Sequence, residues 1–542
     1  MLLPDFIGET KKYILSKIKK YFLCFLSSIL LILSYAPFDL FFLAWIALLP
    51  LFIFLYKASD YKTAFKGGLI FGFFYFLGNI YWIYHSLYYY GSVPLFLSYA
   101  TVFLLSLYLA LYPVLFSLIY KNLLKNNLPT SLYAPFIWVS LEVLRTYLLT
   151  GFPWALLGYS QYKFLIITQI ADITGIYGLS YLIVLFNCFI FDFWIFKKKK
   201  ILYPLLPYYS IIISTILVII IFILCIVYGL NKLDFYEKNN KFRVAVIQGS
   251  IPQNEKWDFD KVNEIINIYK NLTIKANEYN PQLVVWPETA VPFIFTLSAF
   301  PREHYFPFEK NNYLSEDLIK FVKEQNIYLL FGSIMEREKG KYTNSAVLID
   351  KNGIVSYYYD KIHLVPFGEY VPLRKILFFI EKLTVGIGDY QPGSSYNVAI
   401  TPFGKFATLI CYEIIFPGQV RKFYNKGGNF IVNITNDGWF GKTSGPYQHF
   451  SMAVFRAIEN RKPLIRAANS GISGFIDSSG RIIDKTKLFE RKYIVKDIQI
   501  NNEISFYSKY GDIFAYICIV FSLIFLIGNI DFGGKKWLHL KI

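Results

Sequence analysis

The chain has 542 residues, of which 55% are hydrophobic and 20% aromatic, and its mean hydropathy is +0.40. Those values exclude an ordinary soluble globular protein. Lys and Arg total 55 against 37 Asp and Glu, a net charge of +18, but the excess comes in short groups between apolar runs, as at Lys197 to Lys200. Membrane topology explains that placement better than nucleic-acid binding does.

Lysines at 11, 12, 17, 19 and 20 precede the apolar run from Tyr21 to Tyr35, the pattern of a secretory signal. Ala36-Pro37-Phe38 then leads straight into another apolar run with no small-residue cleavage site, so the segment reads as a retained first span. Runs long enough to cross a bilayer, or nearly so, lie at about 21–36, 39–56, 66–84, 94–120, 130–148, 176–196, 208–230 and 512–530, which predicts eight transmembrane helices. Lysines follow every second span, placing both termini in the cytoplasm and the long block between the seventh and eighth spans on the far side of the membrane. Lys163 and Arg145 break this rule; Glu142 and Arg145, three apart on a helix, are expected to pair. The expected division is a membrane domain over 1–235, a catalytic domain over 241–511, and a last span with a cytoplasmic tail over 512–542.

Between 241 and 511 the pattern changes. Short β-rich runs (Phe242 to Ile247, Leu283 to Trp286, Tyr328 to Ile334, Ser345 to Ile349, Ala407 to Cys411, Phe430 to Ile434) alternate with helical stretches at 258–278, 314–325 and 447–460, as in a layered α/β domain. Cys24, Cys188, Cys225 and Cys518 fall in apolar spans, where cysteine behaves as a small hydrophobe. Cys411 alone lies in the α/β block, which rules out a disulfide within it.

Three residues of this block have the makings of acyl-transfer chemistry. Glu288 follows strand-like Leu283-Val284-Val285-Trp286 and Pro287, at the carboxyl end of a buried strand, where α/β sheets place reactive groups; beside Trp286 its proton affinity is expected to rise, suiting a general base. Cys411 ends an apolar run and precedes a turn toward a helix near Pro417, a position expected to lower a thiol's pKa, further so beside a cation. Lys361 sits in an apolar, loop-like segment with Glu369 eight residues on, and could donate to an oxyanion together with the backbone N–H of Tyr412. Taken singly, each has a plain reading: a surface carboxylate, a core thiol, a solvated lysine. Tyr412 and Glu413 beside the cysteine weigh against the core reading. The five histidines lack HExxH or paired spacing, so no metal is expected, and neither a G-x-S-x-G elbow nor a P-loop is present.

At these residues the sequence resembles the nitrilase superfamily, whose members carry a Glu-Lys-Cys triad on an αββα sandwich. More narrowly, the chain resembles the bacterial apolipoprotein N-acyltransferase family nearly end to end. The match runs through Thr150-Gly151-Phe152-Pro153-Trp154, Gly158 to Gln161, Gln248-Gly249, Lys256-Trp257 and Trp286-Pro287-Glu288. It continues through His363 to Pro372, Ile410 to Ile414, and Asn436-Asp437-Gly438-Trp439-Phe440-Gly441 with Gln448-His449-Phe450. Gly438, Ala468 and Ser470 depart from common family residues and leave substrate preference open.

The resemblance implies Glu288 as general base, Lys361 as oxyanion stabiliser and Cys411 as nucleophile, with Glu369, Tyr412 and Glu413 in support. It implies Trp257, Asn344, Trp439, Phe152 and Trp154 for substrate binding. It also implies the reaction: the sn-1 acyl chain of a phospholipid, typically phosphatidylethanolamine, passes through a cysteine thioester to the α-amine of the diacylglyceryl-cysteine of apolipoproteins, with no cofactor. The expected setting is the bacterial inner membrane with the catalytic domain in the periplasm, and the expected state a monomer. The apolar segments 293–308 and 376–390 are expected to act as mobile arms dipping toward the bilayer, with Gly151 to Trp154 as a floor. Two other readings are an anchored nitrilase-type amidase, against which eight spans count as excessive, and a non-catalytic lipoprotein-binding module, against which the complete triad counts.

Overall fold

The computed structural model describes residues 20–126, 128–199, 206–234, 241–295, 312–370, 390–528 and the short stretches 531–532 and 535–536. Within 1–542 the chain forms two compact units. The first comprises 1–81, 99–231 and 512–542; the second comprises 82–98 and 232–511. Residues 82–98, expected with the membrane spans, thus cluster with the α/β block.

The first unit is helical. Among the described residues three helices are long and apolar enough to cross a membrane, Leu95–Asn126, Ile176–Lys197 and Ile212–Leu233, with a fourth if Tyr61–Ile80 and Ile83–Tyr90 count as one broken span. Lys20–Ser34, Phe41–Lys57, Leu165–Thr174 and Ile513–Gly528 are shorter apolar helices. Helix Leu206–Asp234 exposes Ile213, Ile216, Ile220, Ile223, Leu224 and Val227, the outward apolar face a lipid-facing helix requires. Close packing inside the unit uses small residues: a side chain at Gly72 would stand 2.9 Å from the backbone of Ala110. Two buried polar side chains are satisfied by backbone groups. Asp192 accepts from the backbone N–H groups of Thr130 and Ser131 at 2.8 and 2.9 Å, and the Asn187 amide donates to Ala44 O at 2.9 Å.

Glu142 and Arg145 do not pair in the way expected. Glu142 Oε1 accepts from Trp138 Nε1 (3.0 Å) and Leu157 N (2.8 Å). Arg145 instead donates to the carbonyls of Phe152, Trp154 and Ala155. The chain after the helix folds back over it and offers carbonyls that the guanidinium, with five donors, can satisfy together.

The α/β unit is a sandwich of two six-stranded sheets. The first has the order β12-β1-β2-β3-β4-β5 and the second β11-β10-β9-β8-β7-β6. The strands are β1 Lys241–Gln248, β2 Leu283–Val285, β3 Tyr328–Glu338, β4 Lys341–Ile349, β5 Val355–Asp360 and β6 Val398–Thr401. They continue with β7 Gly404–Ile410, β8 Phe430–Thr435, β9 Leu464–Ala468, β10 Gly474–Ile476, β11 Ile482–Lys485 and β12 Lys492–Gln499. The centres are parallel (β1 with β2, β2 with β3, β7 with β8, β8 with β9) and the margins antiparallel. Phe242 of β1 meets Phe430 of β8 at 4.8 Å between the sheets.

Helices α1 (Val262–Asn277) and α2 (Asn312–Gln325) cover the first sheet, and α3 (Gly445–Asn460) packs on the second. Helix α1 buries Val262, Ile265, Ile266, Tyr269, Thr273 and Ala276, a one-face spacing, over Val284, Trp286, Leu329 and Phe331. Helix α3 buries every residue but Tyr447, and Arg461 in the left-handed region closes it. The arrangement is the expected αββα sandwich.

Candidate active site

Three connections leaving strand ends meet in the second unit. Behind β2, Pro287 and Glu288 turn against Gly332 of β3, where a Cβ would strike the Glu288 backbone; only glycine admits that approach. Behind β5 comes Lys361, its N–H bonded to Asn344 O at 2.9 Å. Behind β7 comes Cys411, first residue of a 3₁₀ turn over Cys411–Ile415, with φ of 51°. A side chain held in the left-handed region projects away from the strand that precedes it.

The carboxylates and the lysine form one buried cluster. Lys361, 1% exposed, donates from Nζ to Glu369 Oε1 at 3.0 Å and lies 3.5 Å from Glu288 Oε1. Glu288 also accepts from Asn344 Nδ2 (2.8 Å) and, on its other oxygen, from Asn436 N (2.9 Å). Asn344 Nδ2 donates equally to Glu369 Oε1 at 2.8 Å, so this single amide ties both carboxylates together. Asn344 is buried between them. Glu369 Oε2 takes Val365 N at 2.8 Å. Although burial pushes the Lys361 ammonium toward neutrality, Glu369 and then Glu288 outweigh it and hold the proton firmly.

Cys411 is 8% exposed, and its thiol is pushed up to about 12, first by burial, then by the Glu288 carboxylate, with Lys361 only partly compensating. This reverses the expected lowering. The helix near Pro417 is only Pro417–Val420, too short for an appreciable dipole, and desolvation dominates. The expected role of Trp286 is also displaced. Its indole stacks on Tyr269 and donates to Thr273 Oγ1 at 2.9 Å, in the core between α1 and the first sheet.

Glu413, fully buried, works as a clamp. It accepts from Ile362 N (2.7 Å), His363 N (3.1 Å), Tyr359 OH (2.7 Å), Gln419 Nε2 (2.7 Å) and Ile410 N (2.8 Å), which joins the lysine loop to the cysteine turn. Tyr412 packs edge-on to Phe416 and near His363. Trp257 is part of an apolar patch with Ile294, Ile334, Tyr342 and Tyr390, and Tyr390 N bonds to Glu369 O at 3.1 Å. The carbonyl of Trp439 is held by Ser86 Oγ at 2.8 Å, and its ring meets Tyr90 edge-on at 5.4 Å. Phe152 and Trp154 belong to the first unit, where they stack on each other; Trp154 is fully buried and Phe152 partly.

Lys256, which the sequence offered only as part of a motif, is 1% exposed and donates to Glu288 O at 2.9 Å. Burial lowers its pKa to about 8, against the pull of Glu288 and Cys411. A lysine beside a strand-end motif carries no signal of such burial. The segments 293–308 and 376–390 lie, apart from 293–295 and Tyr390, outside the described residues. Among the described residues no group of three His, Cys, Asp or Glu is placed to hold a metal ion.

Residues 243–506 match the carbon-nitrogen hydrolase family, and residues 27–189 match the apolipoprotein N-acyltransferase N-terminal domain. A curated relative from Geobacter metallireducens, an apolipoprotein N-acyltransferase, is 40% identical over 95% of this chain and 95% of its own. The chain belongs to the apolipoprotein N-acyltransferase family. Another such N-acyltransferase, from Rickettsia prowazekii, is 34% identical over 93% of this chain and 97% of its own. A solved carbon-nitrogen hydrolase from Helicobacter pylori G27 is 20% identical, with a TM-score of 0.37, over 48% of this chain and 90% of that one. Within the N-acyltransferase chain the charged cluster and Cys411 all fall inside the carbon-nitrogen hydrolase match.

Proposed function

We propose that this chain N-acylates apolipoproteins, taking the sn-1 acyl group of a phospholipid, phosphatidylethanolamine in the first instance, through a thioester on Cys411. The observation that carries the reading is the buried Glu288–Lys361–Glu369 cluster set against a strained, buried thiol, in a chain whose family relatives match it over nearly its full length.

Glu288 takes the Cys411 proton as sulfur attacks the ester carbonyl, because a thiol with a pKa near 12 reacts only if its proton leaves in the same step. Lys361, fully protonated, and the Tyr412 N–H stabilise the oxyanion. The glycerol C–O bond breaks, Glu288 returns its proton to that oxygen, and the lysophospholipid departs. The α-amine of the diacylglyceryl-cysteine then attacks the thioester, Glu288 accepts the amine proton, the C–S bond breaks, and the thiolate recovers a proton. Asn344 and Glu369 keep Glu288 and Lys361 in register, and Trp257 lies beside them for the acyl chain. Neither step draws on a cofactor. Eight membrane spans, a periplasmic catalytic domain, cytoplasmic termini and a monomeric state complete the proposal.

Intact-mass analysis after incubation with phosphatidylethanolamine tests it. The wild type should gain an acyl mass that neutral hydroxylamine removes, and Cys411→Ala should gain none. No adduct on the wild type, with turnover of small amides instead, would sink the proposal in favour of an anchored amidase.

A further inference from the structure

A second buried polar cluster stands behind Cys411, and the reaction as written makes no use of it. His449, on the second turn of α3, points Nε2 at Cys411 O, 3.2 Å away. Its Nδ1 lies 2.9 Å from both Asp437 Oδ1 and Arg466 Nη2. Arg466 Nη2 donates to Asp437 Oδ2 at 2.8 Å, and Thr435 Oγ1 donates to Asp437 Oδ1 at 2.8 Å. Arg466 Nη1 donates to Asn433 Oδ1, and Asn433 Nδ2 reaches back to Leu409 O on β7 at 3.0 Å. All of these side chains are buried, and the Asp437–Arg466 pair has no exposure.

An ion pair this deep is expensive to desolvate and is weak evidence for stability. This one converges on a single peptide, Cys411–Tyr412. A carbonyl can only accept, so the ring atom facing Cys411 O must carry a proton. In a neutral imidazole that leaves Nδ1 to accept from Arg466, and Asp437 acts on the ring through the Arg466 Nη2 that it holds. The peptide is planar and trans, so fixing the direction of its C=O fixes the direction of its N–H, which belongs to Tyr412. A hydrogen bond to the carbonyl also polarises the amide and strengthens that N–H as a donor.

We propose that His449, oriented by Asp437 and Arg466, is a positioning residue that aims and polarises the oxyanion-binding Tyr412 N–H; this rests on the thioester reading above. Glutamine places its amide nitrogen near where a histidine places Nε2, whereas asparagine falls short of it, which gives a test by rescue. Single-turnover acylation of Cys411 by phosphatidylethanolamine vesicles is followed by intact mass in His449→Phe, His449→Asn and His449→Gln, alongside alkylation by iodoacetamide, which needs no oxyanion. The Phe and Asn variants should lose about 10²-fold in the saturating acylation rate, the scale of one oxyanion donor. Half-saturating lipid and the alkylation rate should not change, and the Gln variant should recover most of the loss. Gln as slow as Phe, acylation unchanged throughout, or alkylation falling in step with acylation would each overturn the inference alone. An absent adduct on the wild type would overturn the thioester reading and this inference with it.

Discussion

Cys411 is a buried thiol held in its neutral form. Burial and the Glu288 carboxylate raise its pKa to about 12, so on the proposed mechanism its deprotonation coincides with attack. Because the pKa is raised, the neutral thiol persists through the neutral range and the thiolate grows about tenfold per pH unit on approach to 12. Iodoacetamide labelling of Cys411, read by peptide mass, should therefore keep rising beyond pH 9, where a free cysteine has levelled off. In Glu288→Gln the raising charge is gone, so labelling at fixed pH should speed up even as acylation stops. Slower labelling in that variant would contradict the electrostatic account. Glu288, Lys361 and Cys411 were each singled out in the sequence, Glu288 and Cys411 because they stand just past apolar strand-like runs and Lys361 because its apolar segment carries Glu369 eight residues on. Asn344, Lys256 and His449 were not legible as partners: Asn344 reaches Glu288 and Glu369 over sequence separations of 56 and 25, Lys256 reaches Glu288 over 32, and His449 reaches Cys411 over 38, and only folding joins them.

At the level of elements, the site is a set of connections leaving β2, β5, β7 and β8, each locked to another by a buried carboxylate or amide. Glu413 joins the β5 and β7 exits, and Glu288 joins the β2 and β8 exits through Asn436 N. Such sharing makes the geometry of one turn depend on the strand beside it. Gly332 on β3 is the sharpest case, because a methyl group there meets the Glu288 backbone. Gly332→Ala should lower the acylation rate by at least tenfold, since a displaced base costs rate steeply. The thermal midpoint should fall by only a few degrees; wild-type acylation in that variant would show that the turn relaxes freely. Of the strands carrying these exits, β2, β7 and β8 were recognisable from their apolar, β-branched runs. Strands β5, β6 and β9 to β12 were not, being short or polar and held in place by sheet neighbours, not by a pattern of their own.

For the whole molecule, the apolar helices and the lysine groups between them argue for a catalytic unit on the outer side of the membrane. A cysteine introduced at Asn352, in the exposed turn between β4 and β5, should react with a membrane-impermeant maleimide in cells whose outer barrier has been opened. A cysteine at Lys57 should react only after the inner membrane is permeabilised. The reverse pattern would invert the proposed topology. Helix Leu206–Asp234, with its exposed apolar side chains, leads into the catalytic unit, and Ile513–Gly528 follows it.

The sequence by itself determined that the chain carries apolar runs long enough to cross a membrane and that a layered α/β domain lies between the last two of them, and it singled out Glu288, Lys361 and Cys411 as candidates, because hydrophobic periodicity and short motifs are local properties. Tertiary structure alone decided the proton affinity of the thiol, the use of Asn344 as a bridge between carboxylates, the diversion of Arg145 from Glu142 to backbone carbonyls, and the placement of residues 82–98 with the α/β unit. Each of these depends on burial and on partners distant along the chain, and the free energy of a charge or a hydrogen bond is set by its surroundings in space.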